Sequence, residues 1–152
     1  MKLAEALLLR ADIQTRLARL TARIASNAVV QQGDVPHEDP EKLIAEALGV
    51  IRELEAIVIR INRTNMRHKM ADGRTLTEAV AARDALKQQH AVLNAAVEGT
   101  NREPDRYSVR EIKWVAQLDV GKLNKQMEDL ARKVRELNGR LQETNWAVEL
   151  EE

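Results

Sequence analysis

The 152-residue sequence contains no cysteine and no phenylalanine, and only 2% of its residues are aromatic. Without thiols there are no disulfides, no thiolate metal sites and no cysteine nucleophile, a composition at ease in a reducing compartment. With so few rings, a core must be built from aliphatic side chains. Basic and acidic residues number 24 each, so the formal net charge is zero and no global field favours nucleic acid or an anionic membrane. No apolar run approaches the ~18–20 residues of a membrane span. The start MKLAEALLLRAD meets Glu5, Arg10 and Asp12 too soon for a secretory signal. These absences predict a soluble, cytoplasmic protein with neither a membrane nor a nucleic-acid partner.

What is present is 44% hydrophobic and 32% charged, the composition of a helical bundle or coiled coil. A first helix is predicted over about residues 3–26, with Ala6, Leu9, Ile13, Leu17, Leu20 and Ile24 as its seam. Asp39-Pro40 starts a second helix, about 40–69, because Asp caps free N–H groups and proline fits a first turn. Its seam is Ala47, Ile51, Leu54, Val58 and Ile61, with Val50, Ile57 and Ile59 beside it. Thr75 and Glu78 form a capping-box pattern ahead of a third helix, about 76–98. The clearest stripe is Val120, Leu123, Met127, Leu130, Val134, Leu137 and Leu141, at alternating steps of three and four, within a fourth helix of about 120–146. The fold class is mainly α: an up-and-down four-helix bundle of long helices forming one domain over 1–152. Two segments read differently. AVVQQG is β-branched and closed by glycine, and Ile112, Trp114, Ala116 and Leu118 alternate with polar neighbours, so 28–32 and 112–118 suggest a short two-stranded β ribbon at one pole.

The chemistry-bearing residues are sparse. No glutamate stands three residues before His37, His68 or His90, so the Glu-x-x-His pairs of a di-iron bundle are absent. No glycine-rich phosphate loop, nucleophile elbow or metal-ligand spacing occurs. No catalytic residues, metal or cofactor follow, and the sequence leans away from an enzyme. Arg60, Arg63, Arg67, His68, Lys69 and Arg74 gather at the end of the second helix, where cations complement the helix dipole and stay hydrated. Two Thr-Asn pairs end the second and fourth helices, INRTN and QETNW. Extending each seam turns Asn65 and Asn145 inward, as a hydrogen-bonded polar plug or the lining of a small-ligand site. Asn62, Arg63, Asn65, Arg67, Asn145 and Trp146 are the candidate ligand-binding residues, with Trp146 covering the pole. The first two helices also carry more apolar surface than one seam uses, at Leu7, Leu8, Val50, Ile57 and Ile59, and this surplus predicts a homo-oligomer.

The start MKLAEALLLRADIQTRL, the loop NAVVQQGDVPHEDP, the segment INRTN, the stretch RYSVREIKWVAQLD and the ending LNGRLQETNW together resemble a family of bacterial helical proteins, some of whose members carry the label septicolysin-like. The resemblance spans nearly the whole chain and implies a mainly helical protein. The label implies a membrane-active or pore-forming protein, which stands beside the self-associating module and the small-ligand binder as a third reading.

Overall fold

The apolar periodicities are realised as four long helices in up-and-down order: α1 (Leu3–Asn27), α2 (Pro40–Arg67), α3 (Leu76–Gly99) and α4 (Val120–Ala147). The computed structural model describes residues 1–101 and 113–152. Local chemistry sets the helix ends. Glu5 accepts the Lys2 N–H at 2.6 Å, closing the first turn of α1. The Asp39 carboxylate accepts the N–H groups of Glu41 and Lys42 ahead of α2, with Pro40 in the first turn. The Asp119 carboxylate accepts the Lys122 N–H at 3.0 Å at the start of α4. Each carboxylate satisfies backbone donors that a helix start leaves open. After α2 the chain reverses at Asp72-Gly73, where Gly73 takes a φ of 85° that suits glycine.

The chain divides into two units, Met1–Leu76 with Gln142–Glu152, and Thr77–Leu141. In the first, α1 and α2 form an antiparallel hairpin. Arg16 reaches Glu46 at 2.8 Å and Glu53 at 3.7 Å, while Arg23 pairs with Glu38 near the connection. Burial selects Leu3, Ala4, Ala6, Ile13 and Leu20 on α1 and Leu43, Ala47, Val50, Ile57, Ile61 and Thr64 on α2. The buried face of α2 is therefore turned from the expected seam by roughly 50° about the axis, at ~100° per residue. Val50 and Ile57 are inside, Leu54 and Val58 are half-buried, and Ile51 is exposed. Leu9 of the α1 seam is likewise exposed, while Leu17 and Ile24 are half-buried. The second unit is less enclosed. Ala79, Leu137 and Leu141 are buried, but Leu86, Leu93, Leu123, Met127, Leu130 and Val134 are only half-buried.

The ribbon is not formed: no strand occurs among the described residues. Residues 28–32 continue from α1 as an irregular loop, closed by a turn in which Asp34 donates to the Gln31 carbonyl and Gly33 has a φ of 96°. Val29 and Val35 stay exposed. Residues 113–118 are also irregular and exposed, and Ile112 lies outside the described residues. A strand needs a paired partner for its backbone groups. Here Asn27 supplies the organisation instead. Its buried amide donates to the Arg23 carbonyl at 2.9 Å and accepts the Glu38 N–H at 3.0 Å, binding the end of α1 to the approach to α2.

The two faces of α2 are separable by mutation. Ile57→Ala is expected to cost about 2–5 kcal/mol through lost burial and a residual cavity, whereas Ile51→Ala should cost about 1 kcal/mol or less. Urea unfolding of dilute protein checks the difference; equal losses would contradict the separation of the two faces, and a larger loss for Ile51→Ala would place the buried face on the expected seam.

Candidate functional site

The first unit draws the start of the chain, the end of α2 and the residues after α4 to one end. Lys2 and Glu149 form an isolated antiparallel bridge. Leu3 donates its N–H to the Val148 carbonyl at 2.9 Å, and Leu150 donates to the Met1 carbonyl at 2.8 Å. Val148 and Leu150 are buried, so the alternation here turns apolar side chains inward and leaves Glu149 outside. The Glu149 carboxylate meets Lys2 Nζ at 2.7 Å and the Met1 amino group at 3.2 Å. Those two cations, Lys2 foremost, hold its pKa below the usual carboxylate range. On the other side, Thr64 is 1% exposed. Its hydroxyl donates to the Arg60 carbonyl at 2.9 Å and accepts the Glu151 N–H at 3.0 Å. Arg60 Nε donates to the Glu151 carbonyl at 3.0 Å, Arg67 to the Glu151 carboxylate at 2.7 Å, and Arg63 to the main-chain oxygen of Glu152.

The pole read from the two Thr-Asn pairs is thus a clasp on residues 148–152. Arg63 and Arg67, singled out as ligand contacts, hold this segment. Asn62 is exposed, and Asn65 and Asn145 are half-buried with no side-chain hydrogen bond among the described residues. The buried polar anchor is Thr64, one position before Asn65. Trp146 is 53% exposed and does not cover the pole; Val148 and Leu150 do. Alternation of Val148, Glu149 and Leu150 was the available signal for that role, though three residues are a weak one.

Three further features stand out. The first is on α2, where Ile44, Leu48, Ile51, Ile59 and Met66 are all exposed, Leu48 by 52% and Ile59 by 48%. Their steps of three, four and seven residues or more keep them in one row with Glu55 and Asn62 between. Glu46 and Glu53, which meet α1, lie roughly 160° around the helix from Leu48 and Glu55 at ~100° per residue. The row therefore faces away from α1. The second feature is a groove of about 880 Å³ in the second unit, lined by Val92, Leu93 and Leu130 with Lys122, Lys125 and Lys133. Lys133 is held by Asp129 at 2.8 Å. The third is Arg10 on α1, whose Nε is buried without a hydrogen-bond partner among the described residues. No group of histidine, aspartate or glutamate residues able to hold a metal occurs among the described residues. No helix of the described residues is long and apolar enough to cross a membrane.

A family model described as "Family of unknown function (DUF6847)" matches residues 10–150. Among solved structures, a functionally unknown conserved protein from Corynebacterium diphtheriae is similar over 99% of both chains, with 35% sequence identity and a TM-score of 0.91. Neither description names a septicolysin. No curated protein matches the chain.

Two expectations follow from the clasp. Thr64→Val keeps the shape but removes the acceptor for the Glu151 N–H, and should cost about 1–2 kcal/mol in urea unfolding, with Thr64→Ser restoring most of it. Because the folded-state pKa of Glu149 is lowered, its contribution is full above the ordinary glutamate range and is lost as pH falls through the lowered value. The stability difference between the native protein and Glu149→Gln should accordingly be present near neutral pH and vanish in strong acid. A difference that persists unchanged into acid would show that the charge is not what Glu149 contributes.

Proposed function

The chain belongs to this DUF6847 family, and we propose that it is a self-associating helical module, a structural or interaction protein rather than an enzyme. The observation that carries the reading is the outer row of α2, with Ile44, Leu48, Ile51, Ile59 and Met66 all turned to solvent. Scattered apolar residues are ordinary on a protein surface, but a contiguous row of large aliphatic side chains marks an interface. Of the surplus apolar positions on these helices, Val50 and Ile57 are used inside the chain, while Leu8 and Ile59 remain outside. Burying such a row between copies removes apolar area from water at roughly 25 cal/mol per Å².

The chemistry of the clasp supports a structural role as well. Its arginines engage backbone and carboxylate groups of the same chain. Contacts of this kind hold a fold together and leave the outer row of α2 as the surface for assembly.

Sedimentation equilibrium over a concentration series tests the reading. The mass is expected to rise above the 17.2 kDa of one chain as concentration increases. The double variant Leu48→Glu with Ile51→Glu should weaken assembly at least about tenfold, equivalent to ~1.4 kcal/mol, with helix content unchanged. A monomer mass throughout the series for the native protein would contradict self-association.

A further inference from the structure

We infer that α2 pairs with α2 of a second copy in an antiparallel, two-fold arrangement in which Arg52 of each chain meets Glu55 of the other. The inference rests on the self-association reading and adds the partner, direction and register. Glu55 is exposed in the middle of the outer row and Arg52 is exposed at its margin, with Ile44, Leu48 and Ile51 toward the start of the helix and Ile59 and Met66 toward its end. Neither forms an ion pair among the described residues, although Arg16, Glu46 and Glu53 on the other side of the hairpin are paired. The row is thus an apolar strip with a negative charge at its centre, a positive charge at its margin and, among the described residues, no ion-pair partner for either.

Symmetry then restricts the solution. In a two-fold contact the same patch faces itself, so residue i meets residue j and j meets i. An axis crossing α2 between residues 53 and 54 sets Arg52 opposite the other copy's Glu55 and, at the same time, Leu48 opposite its Ile59. Both unpaired charges are then matched twice, once on each side of the axis, and the aliphatic residues flank them. A parallel, in-register contact would instead stack Glu55 on Glu55 and Arg52 on Arg52, where like charges repel. The balanced sign of this patch fits a second copy better than a partner of single charge. The face is free to make the contact because α1 lies on the far side of α2. From Ile44 to Met66 the row runs roughly 33 Å at 1.5 Å per residue. A strip one helix wide offers a few hundred Å² from each copy, below the ~800 Å² per partner of a standard interface. The dimer is therefore a concentration-dependent one.

Charge reversal in the full chain tests the pairing. Arg52→Glu gives a chain with two negative centres, and Glu55→Arg one with two positive centres. Each variant alone should dimerise at least about tenfold more weakly than the native protein, a loss of ~1.4 kcal/mol. Their equimolar mixture should recover native-like dimerisation as a heterodimer, because each negative centre then faces a positive one. The single chain carrying both Arg52→Glu and Glu55→Arg should also dimerise as the native protein does, and circular dichroism should show native helix content for all of them. Native-like dimerisation of the single variants, or a mixture no better than its components, overturns the pairing. If the native protein dimerises and Leu48→Glu with Ile51→Glu disrupts it, while charge reversal has no such pattern, the register falls and self-association stands. A native protein that stays monomeric removes both.

Discussion

The constraint on which the first unit depends is that α2 is apolar around more of its circumference than one neighbour can cover. Leu43, Ala47, Val50, Ile57, Ile61 and Thr64 make its buried face, and Ile44, Leu48, Ile51 and Ile59 a second face in solvent. Helices in water take most of their stability from burying one amphipathic stripe. A second stripe adds nothing to the folded chain while it stays wet, and it becomes favourable only when another surface removes it from water. In the antiparallel pairing proposed above, Arg52 and Glu55 set the direction of that surface.

The inner face has its own requirements at the end of the unit. There α2 stops at Arg67, and its last turn meets residues 148–152 through Thr64, Arg60, Arg63 and Arg67. The buried hydroxyl of Thr64 serves two backbone groups at once, so an otherwise apolar seam admits one polar atom without leaving a donor unmatched. The lysine and carboxylate on the outside, Lys2 and Glu149, are exposed and contribute the little that a surface ion pair does. Packing of Leu3, Val148 and Leu150 is the larger effect.

Much of the architecture was legible in the residues. Three- and four-residue steps and the Asp39-Pro40 start are local signals, and four helices follow from them. What failed depends on tertiary choice. Periodicity showed that α2 was broadly apolar but could not say which stripe meets α1, so Ile51 was assigned inward and is exposed. The β-branched run at 28–32 and the alternation over 112–118 suit strands, but a strand exists only with its pair, and Asn27 organises the first of these segments as a loop. At the candidate site, the two Thr-Asn pairs draw attention to Asn65 and Asn145, which are only half-buried. The neighbouring Thr64 does the buried work, because a hydroxyl fits the enclosed seam and can donate and accept within it. That Arg63 and Arg67 would clasp residues 151–152 was not visible, since the contact joins residues more than eighty positions apart.

Absence of cysteine gives the outer face of α2 a clean reporter, because one introduced thiol is the only thiol present. With Leu48→Cys, the rate of maleimide modification is expected to fall as protein concentration rises, while a thiol placed at exposed Glu128 on α4 keeps a constant rate. A Leu48→Cys thiol that reacts equally fast at every concentration would contradict the burial of this face between copies of the chain.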